Sequence, residues 1–334
     1  MKRLIKLSII LLSVFLISGC IEGEEQNQRI QEEKYEIVDD NNISKETTYY
    51  FSYKGQEFKI ITFFDEVLEY AKTVGENPGI DKKVIYTEHV LEPFIEQLSI
   101  KEIPLGDMLR PSLDIEQLVK KTNELIEHQG QINKWIEEAI IKSAELLPGE
   151  DTNIYIFPVN PEEWHLINTG GGINGMAFSE SDFFLMIDPS AKEEMVQYSV
   201  AHEYHHTVNY LHDGIPIDSN ILDLVVMEGK ADSFASIVYP EAKIISKDEP
   251  LSNDEEAKVL EELSVNSESM DFNIYEKLIY GNNRKDIPRL SNYKIGYQIT
   301  ESYIENNPDM SILEWTKKGA KEIVAGSKYS ALLQ

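Results

Sequence analysis

Cysteine is almost absent: Cys20 is the only one in 334 residues, so no intramolecular disulfide and no thiolate metal site can form. Any metal this chain holds must be bound by imidazoles and carboxylates. Basic residues are also scarce, with 31 Lys and Arg against 59 Asp and Glu and a formal charge of -28. Such a balance repels phosphate backbones and anionic lipid surfaces, which excludes a nucleic-acid partner and a basic membrane patch from the expected functions. No apolar run reaches the roughly 20 residues that a spanning helix needs. Histidine is sparse too, with seven in the chain, yet three of them fall between positions 202 and 206.

The start of the chain departs from the average composition of the rest. Lys2, Arg3 and Lys6 precede the apolar run Leu7 to Ile17, the charged and apolar regions of a secretory signal, which assigns residues 1–19 to a leader. Leu16-Ile17-Ser18-Gly19-Cys20 resembles the lipobox of bacterial lipoproteins. That resemblance implies lipidation of Cys20 and a protein attached through its N-terminal lipid to the extracytoplasmic face of a cell membrane. Residues 20–46, rich in Glu, Gln, Asn and Asp, cannot bury enough apolar surface to fold alone and read as a flexible acidic tether.

Residues 47–147 read as a hairpin followed by a helical region. Tyr49 to Phe64 alternates aromatic and polar residues around Lys54-Gly55, as paired strands do. Ile115, Leu118, Val119, Leu125 and Ile126 form one helical stripe, and Ile132, Trp135, Ile136, Ala139 and Ile140 another. Residues 148–334 read as a catalytic domain. Asn153 to Val159 is a strand ended by Pro158 and Pro161, and an irregular segment reaches Thr169. A glycine-rich hairpin comes next, from Gly170 to Phe178 and from Phe183 to Ile187. No strand-loop-helix with Lys and Ser/Thr accompanies these glycines, so close backbone approach explains them better than a phosphate does. Beyond Pro189 the pattern is helical, near 191–212, 219–237, 252–264, 269–280, 292–305 and 309–323. The order implies an α+β fold: a small antiparallel sheet, an active-site helix, then a mainly helical C-terminal subdomain.

Val196, Val200, Tyr204, Val208 and Leu211 recur at helical spacing, which puts His202-Glu203-Tyr204-His205-His206 on one amphipathic helix. His202 and His206 stand one turn apart, with Cβ atoms about 5–6 Å from each other, so their imidazoles can converge on one zinc at ~2.0–2.1 Å. Glu203, a third of a turn round, reaches a metal-bound water without ligating the metal. A zinc ion lowers the pKa of that water and a nearby carboxylate takes its proton, which is hydrolytic chemistry. His205 is three residues from His202; if His202 and His206 are the ligands, it stands behind them or on the surface.

A catalytic zinc takes three protein ligands and keeps an open position. Two candidates compete for the third. His212 comes six residues after His206, the metzincin spacing, with Asn209 where those proteins have glycine. In an unbroken helix, however, it lies about 240° round from His206. Glu228 stands on the next helix, with Asp232 four residues later on the same face, and Gly229 and Ala231 would allow that helix a close approach to the metal. Asp232 could accept a hydrogen bond from the free ring nitrogen of a ligating histidine.

At these residues the sequence resembles the gluzincins, whose H-E-x-x-H helix is followed by a Glu-x-x-x-Asp/Glu helix. More narrowly it looks like the YjaZ-like family of predicted bacterial zinc proteases. The resemblance runs from about Asn153 to Asn306 and includes Gly170 to Phe178, Ala201 to His206, Glu228 to Asp232 and Gly296-Tyr297. It implies a zincin-like fold, one zinc held by His202, His206 and Glu228, Glu203 as the base, and a peptide or protein substrate. Tyr297 is a candidate oxyanion donor, against the plainer reading of a core tyrosine. The competing function is a lipoprotein that binds zinc or a partner without turnover.

Overall fold

The computed structural model describes residues 47–98 and 108–334; the expected leader, the tether and Cys20 lie outside the described residues. Residues 46–334 form one compact unit. Strands β1 (Thr48–Tyr53) and β2 (Gln56–Thr62) make the expected hairpin, with Phe51 stacked on its cross-strand partner Phe58. The helical region holds α1 (Phe64–Glu76), α2 (Lys82–Tyr86), a π turn at Thr87–Leu91, α3 (Glu92–Gln97) and the long α4 (Ile115–Leu146). Asp114 caps α4 by accepting a hydrogen bond from the Gln117 N–H. Both apolar stripes turn inward along it, with Leu118, Leu125, Ile136 and Ile140 buried.

Strand β3 (Thr152–Pro158) is next, then a short α5 (Trp164–Thr169) in the segment expected to be irregular, then β4 (Ile173–Ala177) and β5 (Asp182–Ile187). The strands form one sheet in the order β1-β2-β3-β5-β4. It is antiparallel at its two outer pairs and parallel at β2-β3 and β3-β5, so it is mixed rather than antiparallel throughout. The helical crossovers between these strands explain the difference, because a connection of that length returns the chain to its starting end. The β1–β2 hairpin therefore shares a sheet with β3, β5 and β4, and α1 and α4 share cores with β3 and β5.

Alternate residues of β3 and β5 feed two cores. Ile154, Ile156, Phe183, Leu185 and Ile187 face α4 and the C-terminal helices, while Tyr155, Phe157, Phe184 and Met186 face α1 and α3. Burial on both faces explains why these strands read as near-continuous apolar runs. The tight β4–β5 turn is tied by buried Asp182, which accepts from Ser179 Oγ at 2.7 Å, Ser181 Oγ at 3.0 Å and Asn153 Nδ2 at 2.9 Å. This anchor leaves β4 at the sheet edge, beside the next helix.

The remainder is α6 (Glu193–Asp213), α7 (Ile221–Val238), α8 (Ile245–Asp248), α9 (Asn253–Asn266), α10 (Phe272–Tyr280), α11 (Ser291–Asn306), α12 (Ile312–Thr316), α13 (Ala320–Gly326) and a terminal 3-10 turn. The single helix expected at 309–323 is two, parted at Lys317 to Gly319. Among the described residues no helix is long and apolar enough to cross a membrane.

Candidate metal centre

Helix α6 begins with Glu193 and Glu194, whose charges suit the positive end of the helix dipole, and ends at Gly214, whose N–H bonds Tyr210 O. Val196, Val200, Tyr204 and Val208 are buried as the period requires, but Leu211 is exposed. The helix is buried on nearly every side from Val196 to Tyr210, His202, Glu203, His205 and His206 included. A buried helix face with that many polar groups needs partners for them.

Helix α7 supplies several. Its N-terminus is set by a reciprocal capping box between Asn220 and Asp223. Two turns on, Glu228 Oε2 lies 3.2 Å from His202 Nε2 and 3.5 Å from His206 Nε2, and the two Nε2 atoms are 3.0 Å apart. Asp232 Oδ1 is 2.8 Å from His202 Nδ1 and accepts a hydrogen bond of 2.9 Å from Tyr198 Oη. Gly229 plays a different part from the expected one. A β-carbon there would sit 2.1 Å from the Gly296 backbone, so the glycine admits α11 against α7 rather than α7 against the metal.

The charges result from this packing. Burial pulls the Glu228 carboxyl upward, but the two imidazoles outweigh it and bring it down to about 2. Burial disfavours protonated His202, yet hydrogen bonds to Asp232 and Glu228 prevail and hold it well above the usual histidine value. Burial raises Glu203, opposed by both imidazoles. A group of three converging donor atoms, two imidazole nitrogens and a carboxylate oxygen, attracts positive charge. Zinc at ~2.0–2.1 Å from tetrahedral ligands separates them by about 3.3 Å, which the three distances here bracket. Among the described residues His202, His206 and Glu228 form the group able to hold a metal, and the donor set fits zinc.

The other candidates lie elsewhere. His212 is exposed near the end of the unbroken α6, as the helical angle requires. His205 points into the core, stacked 5.5 Å from Trp315, with Nε2 3.2 Å from Thr316 Oγ1; burial first, then Lys230, keeps it well below the usual histidine value. It is neither a surface histidine nor a member of the group of three. Tyr297 is half-buried near Ser236 and Glu301, its phenol pushed up to about 12 by burial first.

Three tyrosines escaped the sequence reading. Tyr198 steadies Asp232, Tyr210 stacks on His206 at 6.0 Å, and the Tyr293 ring stands 6.3 Å from His202. The charge of Glu228, ahead of burial, holds the Tyr293 phenol well above its ordinary value. Tyr198 was open to discovery, being four residues before His202 on the same helix. Tyr293 on α11 had no such signal.

A family model described as "Predicted Zn-dependent protease (DUF2268)" matches residues 132–325, more than half of the chain. That span contains β3 to β5, α6, α7 and α11. No curated protein and no solved structure matches the chain.

Proposed function

The chain belongs to this family of predicted Zn-dependent proteases, and we propose that it is a zinc-dependent peptidase with one metal ion held by His202, His206 and Glu228. The observation that carries the proposal is the convergence of three ligand atoms from two helices, on buried His202 and His206 and half-buried Glu228, beside the separate carboxylate of Glu203. Zinc bound there would supply a Lewis acid for a peptide carbonyl and a water of lowered pKa. Glu203, buried beside the imidazoles and held by the Ala177 N–H, would be the base that takes the proton of that water. Asp232 accepts the Nδ1 proton of His202 and so leaves the Nε2 lone pair free, while Tyr198 keeps Asp232 oriented. Tyr293, whose ring stands 6.3 Å from His202, would donate a hydrogen bond to a developing oxyanion, in place of Tyr297.

The same proposal includes an extended peptide as substrate. Asp188 N–H bonds Gly172 O and Phe178 N–H bonds Asp182 O, so even-numbered residues of β4 face β5. Ile173 and Gly175 turn their backbone groups to the free edge, where a strand can add, while the Ala177 N–H on that edge is taken by Glu203. Attachment through a lipid at Cys20 to the outer face of a bacterial membrane belongs to this reading as well, supported by Leu16 to Cys20 alone.

The test compares zinc-loaded wild type with Glu203→Gln on a peptide library. Loss of general-base catalysis lowers turnover by about 10²–10⁴-fold while zinc stays bound. Equal cleavage by the two proteins removes Glu203 as base, and stoichiometric zinc with no cleavage by either favours a binding protein.

A further inference from the structure

Between α6 and the edge strand there is room for a carboxylate only because one side chain is missing. A β-carbon built on Gly175 would lie 2.7 Å from Glu203 Oε1, 2.8 Å from its Cγ and 2.9 Å from its Cδ. Each distance is well inside van der Waals contact. Gly175 is not one of the glycines with positive φ, so its backbone accepts any residue, and what it cannot accept is a side chain against Glu203. Two residues on, the Ala177 N–H donates to Glu203 Oε2 at 2.8 Å. This N–H is one of those that turn away from β5, so Glu203 occupies a position on the free edge of β4 itself.

We propose that Gly175 and the Ala177 N–H position Glu203: the glycine supplies the slot and the amide fixes one oxygen within it. Both act on the reaction through Glu203, the glycine by the absence of a side chain and the amide by its hydrogen bond, so they are positioning residues. A glutamate has three side-chain torsions, and burial alone does not choose among them. An amide on one oxygen and a backbone wall beside the other leave a single orientation. The selection costs the fold little, because the part that must yield to a β-carbon at 175 is the free end of a side chain and not a strand or helix backbone. An alanine at 175 therefore leaves the sheet standing and turns the carboxylate out of place. The inference rests on the peptidase reading for the role of Glu203, though not for the contact.

The experiment takes wild type, Gly175→Ala, Glu203→Ala and the double variant through melting, zinc titration, steady-state kinetics and ¹⁵N–¹H spectra of Ala177. Gly175→Ala should lower kcat by about 10²-fold, the loss that accompanies a displacement of about 1 Å at a reacting group. KM and zinc affinity should change by less than about twofold, since the backbone groups at 175 and the three ligand side chains stay as they are. The Ala177 amide resonance should move upfield in Gly175→Ala as it does in Glu203→Ala. The melting loss of Gly175→Ala should vanish in the Glu203→Ala background, where the space has been cleared. A Gly175→Ala protein with undiminished kcat overturns the proposal, and so does a melting loss that persists without the Glu203 side chain, which would make the glycine a packing residue. Wild type without turnover but with the amide shift and the melting compensation retains the Gly175–Glu203 contact and overturns the peptidase reading.

Discussion

The Nε2 atoms of His202 and His206 lie 3.0 Å apart, closer to each other than either is to Glu228 Oε2. Asp232 occupies His202 Nδ1, while His206 Nδ1 is buried without a hydrogen-bond partner among the described residues. The two imidazoles are therefore unequally held, and the group of three depends on α7 for its third atom and for the orientation of only one ring.

Zinc should bind tightly and stabilise the fold. At a free concentration a thousand times its dissociation constant it adds about 4 kcal/mol to unfolding, and a chelator removes that increment. Calorimetric titration of Glu228→Ala should show a large loss of affinity, whereas His212→Ala, exposed and turned away, should bind as wild type does. Unchanged affinity in Glu228→Ala would return the third-ligand question to His212.

Asp232→Asn should weaken zinc binding by about 10–100-fold, the usual cost of losing a partner that orients a ligating histidine. Tyr198→Phe should cost less, because its hydroxyl bonds Asp232 and not the histidine. The order of the two affinities, measured by competition with a chelating dye, checks the chain from Tyr198 through Asp232 to His202.

Gly229→Ala should destabilise the protein by about 3 kcal/mol or more, the upper end for overpacking, since the new carbon meets backbone on α11 that has nowhere to move. Gly130→Ala on α4 should instead stabilise by about 0.5–1 kcal/mol, having open space around it and a helical backbone that disfavours glycine. Urea unfolding of the pair separates a glycine required by close approach from one that is not.

Buried Asp188, between β5 and α6, pairs with Lys121 and accepts from Ser190. Burial pushes its carboxyl up, but the hydrogen bonds from Lys121 and Ser190 outweigh that and hold it below the ordinary aspartate range. A lowered folded-state pKa means stability that is complete above the unfolded value near ~3.9 and is withdrawn as pH falls through the folded value beneath it. Lys121→Met should therefore cost on the order of 2 kcal/mol at neutral pH. The gap should narrow as pH falls below the ordinary aspartate range and Asp188 takes up its proton in both proteins. Melting curves across that range test it; a constant gap would assign the loss to packing.

Much of the fold was legible because its signals are local. The β1–β2 hairpin, the α4 stripes and α6 each arise from a period of two or 3.6 over a few residues, and the one-turn relation of His202 to His206 comes from α6 alone. The exposure of His212 does as well. The mixed sheet was not legible, since strand direction depends on which strands a helical crossover brings side by side. Nor was α5, too short for its period to stand out.

By itself the sequence determined which helix carries the histidines, which of them share a face, and that imidazoles and carboxylates alone were available to a metal. Tertiary structure decided the rest. It brought Glu228 and Asp232 to His202 across 26 and 30 residues and sent His205 into the core against Trp315. It set Tyr293 beside His202, and it laid the side of β4 that has no side chain at Gly175 over Glu203. The physical reason is range: helical geometry relates residues a turn apart, whereas the meeting of two helices and a strand depends on how the whole core packs.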